Sequence, residues 1–99
     1  MAQEKNFENR IKTWLDEKGC YFVKQFGCAF TKSGVPDLLC CVNGHFVAIE
    51  VKAENGKTSD LQHYNIAKIK DAGGVAVVVK PSQFDELKDL IEKLMNENS

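Results

Sequence analysis

The stretch that decides the fold is Gly34–Lys52, which reads GVPDLLCCVNGHFVAIEVK. The dipeptide Asn43-Gly44 lies between two apolar runs in it. Such a dipeptide is the strongest short-range signal for a β-hairpin, because a type I′ turn needs a positive φ at both central residues. The flanking runs, Leu38–Val42 and His45–Lys52, are therefore predicted to be antiparallel strands.

The register of this hairpin brings charged side chains together at its open end. Counting outward from a two-residue turn, Val42 faces His45, and Asp37 faces Glu50. Directly opposed residues share one face of a strand pair, and Lys52 joins that face because strand side chains alternate. The opposite face of the second strand carries branched apolar residues that we expect in the core: Val47, Ile49 and Val51.

Two carboxylates and an amine in this arrangement indicate metal-assisted phosphodiester hydrolysis. Opposed like charges destabilise a sheet, and Mg²⁺ would offset this because it accepts carboxylate, water and phosphate oxygens. The metal would lower the pKa of a bound water, while Lys52 would orient the nucleophile or stabilise the transition state. The alternative is that Glu50 and Lys52 are solvated charges on an exposed face, and a bulge near Leu38 would shift the register.

The sequence before the hairpin predicts one helix, one strand and one loop. Phe7, Ile11 and Leu15 recur at helical spacing, which predicts an amphipathic helix over about residues 4–18. The aromatic and β-branched stretch Cys20–Phe26 predicts a strand, and Gly27–Gly34 predicts a loop.

The sequence after the hairpin completes an α/β fold. Glu54–Lys57 is predicted to be a loop, Ser59–Ala72 a helix and Val75–Val79 a strand covered on both faces. A strand–helix–strand sequence predicts a parallel pair with a right-handed crossover. Ser82 and Asp85 are predicted to form a capping box at the start of a last helix, which opens at Pro81-Ser82. The order α-β-β-β-α-β-α predicts a small mixed sheet flanked by helices.

Composition limits the class of protein. The 99 residues leave room for one domain over 1–99, and the net charge of −1 argues against DNA binding by bulk charge alone. The four cysteines form no C-x-x-C pair, so we interpret them as free thiols and not as a zinc site. The longest apolar runs are far shorter than the ~20 residues of a membrane span, and the N-terminus lacks the apolar core of a signal peptide. We therefore expect a cytoplasmic protein without a membrane partner.

The motifs resemble a known nuclease family. Gly34-Val35-Pro36-Asp37, then Glu50-Val51-Lys52, then Gln62 at the opening of a helix that ends at Gly73-Gly74, are similar to the VRR-NUC family of the PD-(D/E)XK nuclease superfamily. The resemblance covers about residues 5–80, and the compact layout is similar to that of stand-alone phage and bacterial nucleases. It implies the restriction-endonuclease-like core of that superfamily.

The resemblance also implies roles for individual residues. Asp37, Glu50 and the backbone carbonyl of Val51 would bind Mg²⁺, which Mn²⁺ would replace. Lys52 takes the place of the catalytic lysine and Gln62 that of the active-site glutamine.

Other residues carry open alternatives. Glu8 resembles a first-helix acid that joins the metal shell through water, or it is a solvated helix acid. The amide of Gln62 either reaches the carboxylates or turns back to Ser59 in a capping box. Lys32 and Lys57 would contact DNA phosphates, or they are ordinary surface lysines.

The function that follows is a metal-dependent DNA endonuclease without an organic cofactor, located in a bacterial or phage-infected cell. The resemblance implies a homodimer that acts on branched DNA such as Holliday junctions and leaves a 5′-phosphate and a 3′-hydroxyl. One alternative is a non-catalytic nucleic-acid-binding or adaptor module that keeps the fold. A sequence-specific restriction enzyme is disfavoured because few residues remain for reading bases.

Overall fold

The computed structural model describes residues 2–26 and 33–97, in which one four-stranded sheet carries three α-helices. In chain order the elements are α1 (Ala2–Glu17), β1 (Tyr21–Lys24), β2 (Leu38–Val42), β3 (His45–Val51), α2 (Asp60–Asp71), β4 (Val75–Val79), a 3₁₀ turn (Pro81–Gln83) and α3 (Phe84–Met95). This confirms the predicted element order. Most of the predicted loop Gly27–Gly34, including Lys32, lies outside the described residues.

The sheet has the strand order β1-β2-β3-β4. The first three strands are antiparallel, and β3 pairs with β4 in parallel after the α2 crossover. Val42 pairs with His45 and Leu39 with Ala48, so the predicted hairpin register is confirmed. Asn43 and Gly44 have φ values of 49° and 83°, as a type I′ turn requires.

The two faces of the sheet are covered unequally. One face packs against α1 and α3 in the main core, which includes Phe7, Ile11, Leu15, Val47, Ile49, Val51, Leu87 and Ile91. The other face has a smaller apolar cluster of Ala48, Ile66 and Ala76 beneath α2. Asp37, Glu50 and Lys52 therefore belong to the more thinly covered face.

Hydrogen bonds also connect the hairpin turn to the end of α3. The Asn43 side-chain amide donates to the carbonyl oxygens of Leu94 at 3.0 Å and Glu97 at 2.8 Å. These carbonyls belong to the last turn of the helix and its exit, where backbone acceptors lack helical partners.

Asn43→Gly is expected to lower the free energy of unfolding by about 1–2 kcal/mol, because two hydrogen bonds are lost while glycine keeps the positive φ. Urea unfolding measures the difference. Asn43→Ala adds backbone strain, so it should cost more than Asn43→Gly. Equal stability of Asn43→Gly and the wild type would show that the two hydrogen bonds to α3 do not stabilise the fold, and that Asn43 contributes only its positive φ.

The predicted capping box of Ser82 and Asp85 is wrong. Ser82 lies in the 3₁₀ turn, and its backbone N–H and hydroxyl donate to the two carboxylate oxygens of Glu54, both at 2.8 Å. These hydrogen bonds lower the pKa of Glu54. The Glu54 N–H in turn donates to the Gln3 side chain at 2.8 Å. The loop that follows β3 and Lys52 thus forms hydrogen bonds both with the start of α1 and with the turn before α3.

Within residues 2–26 and 33–97, no helix combines the length and the apolar character that crossing a bilayer requires.

Candidate active site

Asp37 lies immediately before β2, at the open end of the hairpin. Its Oδ2 accepts a hydrogen bond of 2.8 Å from the backbone N–H of Val51, and its carbonyl oxygen accepts one of 2.8 Å from the Gln25 N–H. The carboxylate is therefore held against the end of β3, the strand that carries Glu50. The geometry agrees with the predicted convergence of the two acids.

Glu50 is a buried carboxylate, with only 2% of the residue exposed. Its Oε2 accepts a hydrogen bond of 2.9 Å from the Gln62 side chain and lies 3.4 Å from the Lys52 ammonium nitrogen. Its Oε1 is buried and has no hydrogen-bond partner among the described residues. Leaving a charged oxygen buried and unpaired is costly, so this atom points to a ligand that the chain itself does not supply.

The Glu50 carboxylate lies in an environment that disfavours its charged form. Burial, together with the neighbouring Asp37 carboxylate, raises the pKa of Glu50 to about 7, although Lys52 acts in the opposite direction. Lys24 and Lys52 each lie within ion-pairing distance of one of the two carboxylates, yet the pKa of Glu50 stays raised. A divalent cation would remove the remaining repulsion between the carboxylates and offer a partner to Oε1, which is unpaired among the described residues.

The donor set fits a hard cation such as Mg²⁺. Among residues 2–26 and 33–97, no group of three histidine, cysteine, aspartate or glutamate side chains has the arrangement of a metal site. Two carboxylates still suffice, since Mg²⁺ is typically bound by one or two of them and keeps water or phosphate oxygens in its other positions.

Gln62 satisfies both of the alternatives that the sequence left open. The Ser59 side chain accepts from the Gln62 N–H at 3.1 Å, and Gln62 Oε1 accepts from the Ser59 N–H at 2.9 Å, which completes a capping box. The Nε2 of the same amide donates to Glu50. The start of α2 and the orientation of the Glu50 carboxylate are therefore fixed by one side chain.

Lys24 is a residue that the sequence interpretation missed. Its ammonium nitrogen lies 2.7 Å from Glu8 Oε1 and 3.5 Å from Asp37 Oδ1, so it links the acid of α1 to the acid of the hairpin. Burial lowers the pKa of Lys24, but the contacts with Glu8 and Asp37 outweigh burial and raise it overall. The stretch between Lys24 and Leu38 is too long for a two-residue turn, so the sequence contained no register signal that could have placed Lys24 here.

The remaining candidate residues are placed differently. Glu8 is largely buried and contacts two lysines, Lys24 and, at 3.6 Å, Lys12, so it is not a solvated helix acid. Lys57 is exposed in the loop between β3 and α2, and it forms no ion pair with a described residue.

The approach of the chain to Asp37 depends on Gly34. Its φ is +80°, and a Cβ there would meet Asn65 Nδ2, Leu61 Cγ and the Leu61 carbonyl oxygen, each at 2.8 Å. Asn65 is buried and donates to the carbonyl oxygen of Ser33 at 3.1 Å. The segment before Asp37 is thus pressed against α2, which also carries Gln62.

Gly34→Ala is expected to destabilise the protein by about 3 kcal/mol, because overpacking adds to the strain of a left-handed backbone. Gly19→Ala is the matched control, since Gly19 has a similar φ of +76° and a Cβ added there would have no atom within 4 Å. The control should lose only about 1 kcal/mol in thermal or urea unfolding. Equal losses in the two variants would contradict the close approach of α2.

Chemically, the site joins two carboxylates to two ammonium groups, those of Lys24 and Lys52, and to the amide of Gln62. One oxygen of Glu50 is buried and unpaired in the part of the chain that the structure describes.

Comparison with known proteins gave one family. The model of the family described as Hjc, archaeal Holliday junction resolvase, matches residues 2–79. This range includes the hairpin and α2, and the match supports the PD-(D/E)XK nuclease superfamily. The matching family is Hjc and not VRR-NUC. A search of curated proteins found no match.

Proposed function

The chain belongs to the Hjc family of Holliday junction resolvases, which are metal-dependent, structure-selective nucleases that act as dimers, and we propose that Asp37 and Glu50 form its metal site. The observation that carries this proposal is the buried Oε1 of Glu50, which has no partner within residues 2–26 and 33–97 and lies beside a second carboxylate. We propose the backbone carbonyl of Val51 as a further ligand, and Glu8 as an acid that acts through water.

The preferred metal in this proposal is Mg²⁺, with Mn²⁺ as a substitute. When bound, the metal supplies an acidified water and charge neutralisation at the scissile phosphate. The residues of the chain position these groups. The Val51 N–H orients the Asp37 carboxylate, and Gln62 orients the Glu50 carboxylate.

Lys52 acts on the phosphate in this mechanism. Its ammonium nitrogen is 3.4 Å from Glu50 Oε2, and its side chain is 13% exposed, so a negatively charged oxygen entering the site meets a partly desolvated cation. A cation held in place before the reaction stabilises charge that develops in the transition state. We propose hydrolysis that leaves a 5′-phosphate and a 3′-hydroxyl, as the likeness to the nuclease superfamily implies.

The assembly and setting are part of the proposal. We propose one nuclease domain over residues 1–99 with one site, so that paired cuts on two strands require two copies. The protein would act on branched DNA in the cytoplasm or nucleoid. The narrower likeness to stand-alone phage and bacterial VRR-NUC enzymes remains a prediction from the motifs.

A Mg²⁺ titration of strand cutting on four-way, flapped and linear duplex DNA tests this function. We expect cutting that requires Mg²⁺ and is fastest on the four-way junction, with light scattering showing a dimer. Metal-independent junction binding without cutting at any Mg²⁺ concentration would contradict the proposal and favour the adaptor alternative.

Lys57 is proposed as a weak phosphate contact, since it is exposed near the site, and the role predicted for Lys32 stays a proposal from the sequence.

A further inference from the structure

A groove runs between α1 and β1, with a volume of about 700 Å³, compared with about 390 Å³ for the cleft that α1 forms with α3. Lys24 lines the groove, and its ammonium nitrogen lies 3.5 Å from Asp37 Oδ1. Lys24 thus connects the groove to one carboxylate of the proposed metal site. A role for the groove in DNA binding rests on the proposed function.

The walls of the groove carry three ammonium groups, those of Lys5, Lys12 and Lys24, and two carboxylates, those of Glu4 and Glu8. Lys12 and Lys24 contact the two oxygens of Glu8, which also lines the groove. Lys5 is exposed and pairs with no carboxylate among the described residues. Lysines spaced along a groove are the feature by which proteins follow a phosphodiester backbone.

An exposed aromatic ring lies in the same groove. Phe26 is 74% exposed, and the Lys24 ammonium nitrogen is 5.9 Å from the centre of its ring. Tyr21, at the start of β1, is also exposed, at 72%, but it does not line the groove. Its partner in the sheet is Cys41 of β2. A ring among lysines is the combination that binds single-stranded nucleic acid, because bases stack on the ring while the cations contact phosphates.

We propose that this groove binds a single DNA strand next to the scissile phosphate, with one unpaired base stacked on Phe26 and phosphates contacted by Lys5 and Lys12. A base in a continuous duplex is already stacked on both sides and is not free to reach the ring. A base at a branch point is released at lower cost. The groove therefore favours branched DNA over linear duplex and supplies part of the selectivity for structure.

The test uses a four-way junction that carries 2-aminopurine at the branch point, bound in EDTA so that no cutting occurs. Phe26→Leu is expected to weaken binding by about tenfold and to remove the fluorescence quenching that stacking causes. Phe26→Tyr keeps a ring and should behave like the wild type. Tyr21→Ala is the matched control for an exposed ring outside the groove, and gel filtration checks that each variant keeps the wild-type oligomeric state.

A second measurement addresses the lysines. Lys5→Ala should reduce the slope of log affinity against log salt by about 1, whereas Lys93→Ala, a lysine of α3 outside the groove, should leave the slope unchanged. The proposal that the groove binds a DNA strand would be contradicted if Phe26→Leu bound and quenched like the wild type and Lys5→Ala kept the wild-type salt slope. If binding of the wild-type protein quenches the 2-aminopurine fluorescence but the protein never cuts with Mg²⁺, the proposed function is contradicted and the proposed role of the groove in binding is supported.

Discussion

Glu50→Gln is expected to slow cutting strongly and, in the same protein, to stabilise the metal-free fold. Loss of a metal-binding carboxylate should slow cutting roughly 10³-fold. The stabilisation follows because glutamine stays neutral in a buried position where Glu50 is repelled by Asp37.

The sign of the pH dependence follows from the raised pKa. In the unfolded chain Glu50 loses its proton near pH 4.5, and in the metal-free fold it loses it near pH 7. Between these values the fold holds a proton that the unfolded chain does not, so wild-type stability falls as the pH rises through this window. Glu50→Gln escapes this loss, and above pH 7 it should be more stable by on the order of 2 kcal/mol.

Urea unfolding in EDTA at several pH values measures this difference. Glu54→Gln is a control for which the pH dependence of stability has the opposite sign. Hydrogen bonds from Ser82 lower the pKa of Glu54, so the ionised Glu54 stabilises the fold at neutral pH, and this stabilisation is lost as the pH falls. A Glu50→Gln protein that is less stable than the wild type at pH 8 would show that the carboxylate is not strained in the metal-free state.

Lys52→Ala is expected to slow cutting of a four-way junction by about 10²–10³-fold while leaving the junction affinity within a few fold. The ammonium group acts on charge that develops during the reaction, so its loss affects the rate of cutting more than binding. Single-turnover rates at saturating enzyme separate the two effects.

Lys93→Ala is the matched control, since Lys93 is an exposed lysine of α3 that has no part in the proposed site. It should cut nearly as fast as the wild type. If Lys52→Ala cuts as fast as Lys93→Ala, the assigned role of Lys52 is wrong.

The hairpin could be predicted from the sequence because its information is local. Asn43-Gly44 fixes the turn, the turn fixes the register, and the register places Asp37 opposite the end of β3. The apolar alternation of β3 supports the same register, since Val47 and Ile49 are fully buried. The acids and their common face therefore follow from a few consecutive residues.

Contacts between distant segments could not be predicted in this way. Lys24 reaches Asp37 only because β1 pairs with β2, and nothing in the intervening sequence sets that register. Ser82 has a suitable position for a helix cap, but Glu54, which is far away in sequence, binds it instead. Gln62 could not be assigned to one of two roles because its amide has enough donors and acceptors for both.

A crystal of the protein soaked in Mn²⁺ tests the central claim most directly, because manganese is located by its anomalous scattering without reference to activity. We expect one strong peak within bonding distance of Asp37 and of the Glu50 Oε1 that is unpaired among the described residues, and no such peak in Glu50→Gln. A wild-type crystal with no peak between the two carboxylates would contradict the account.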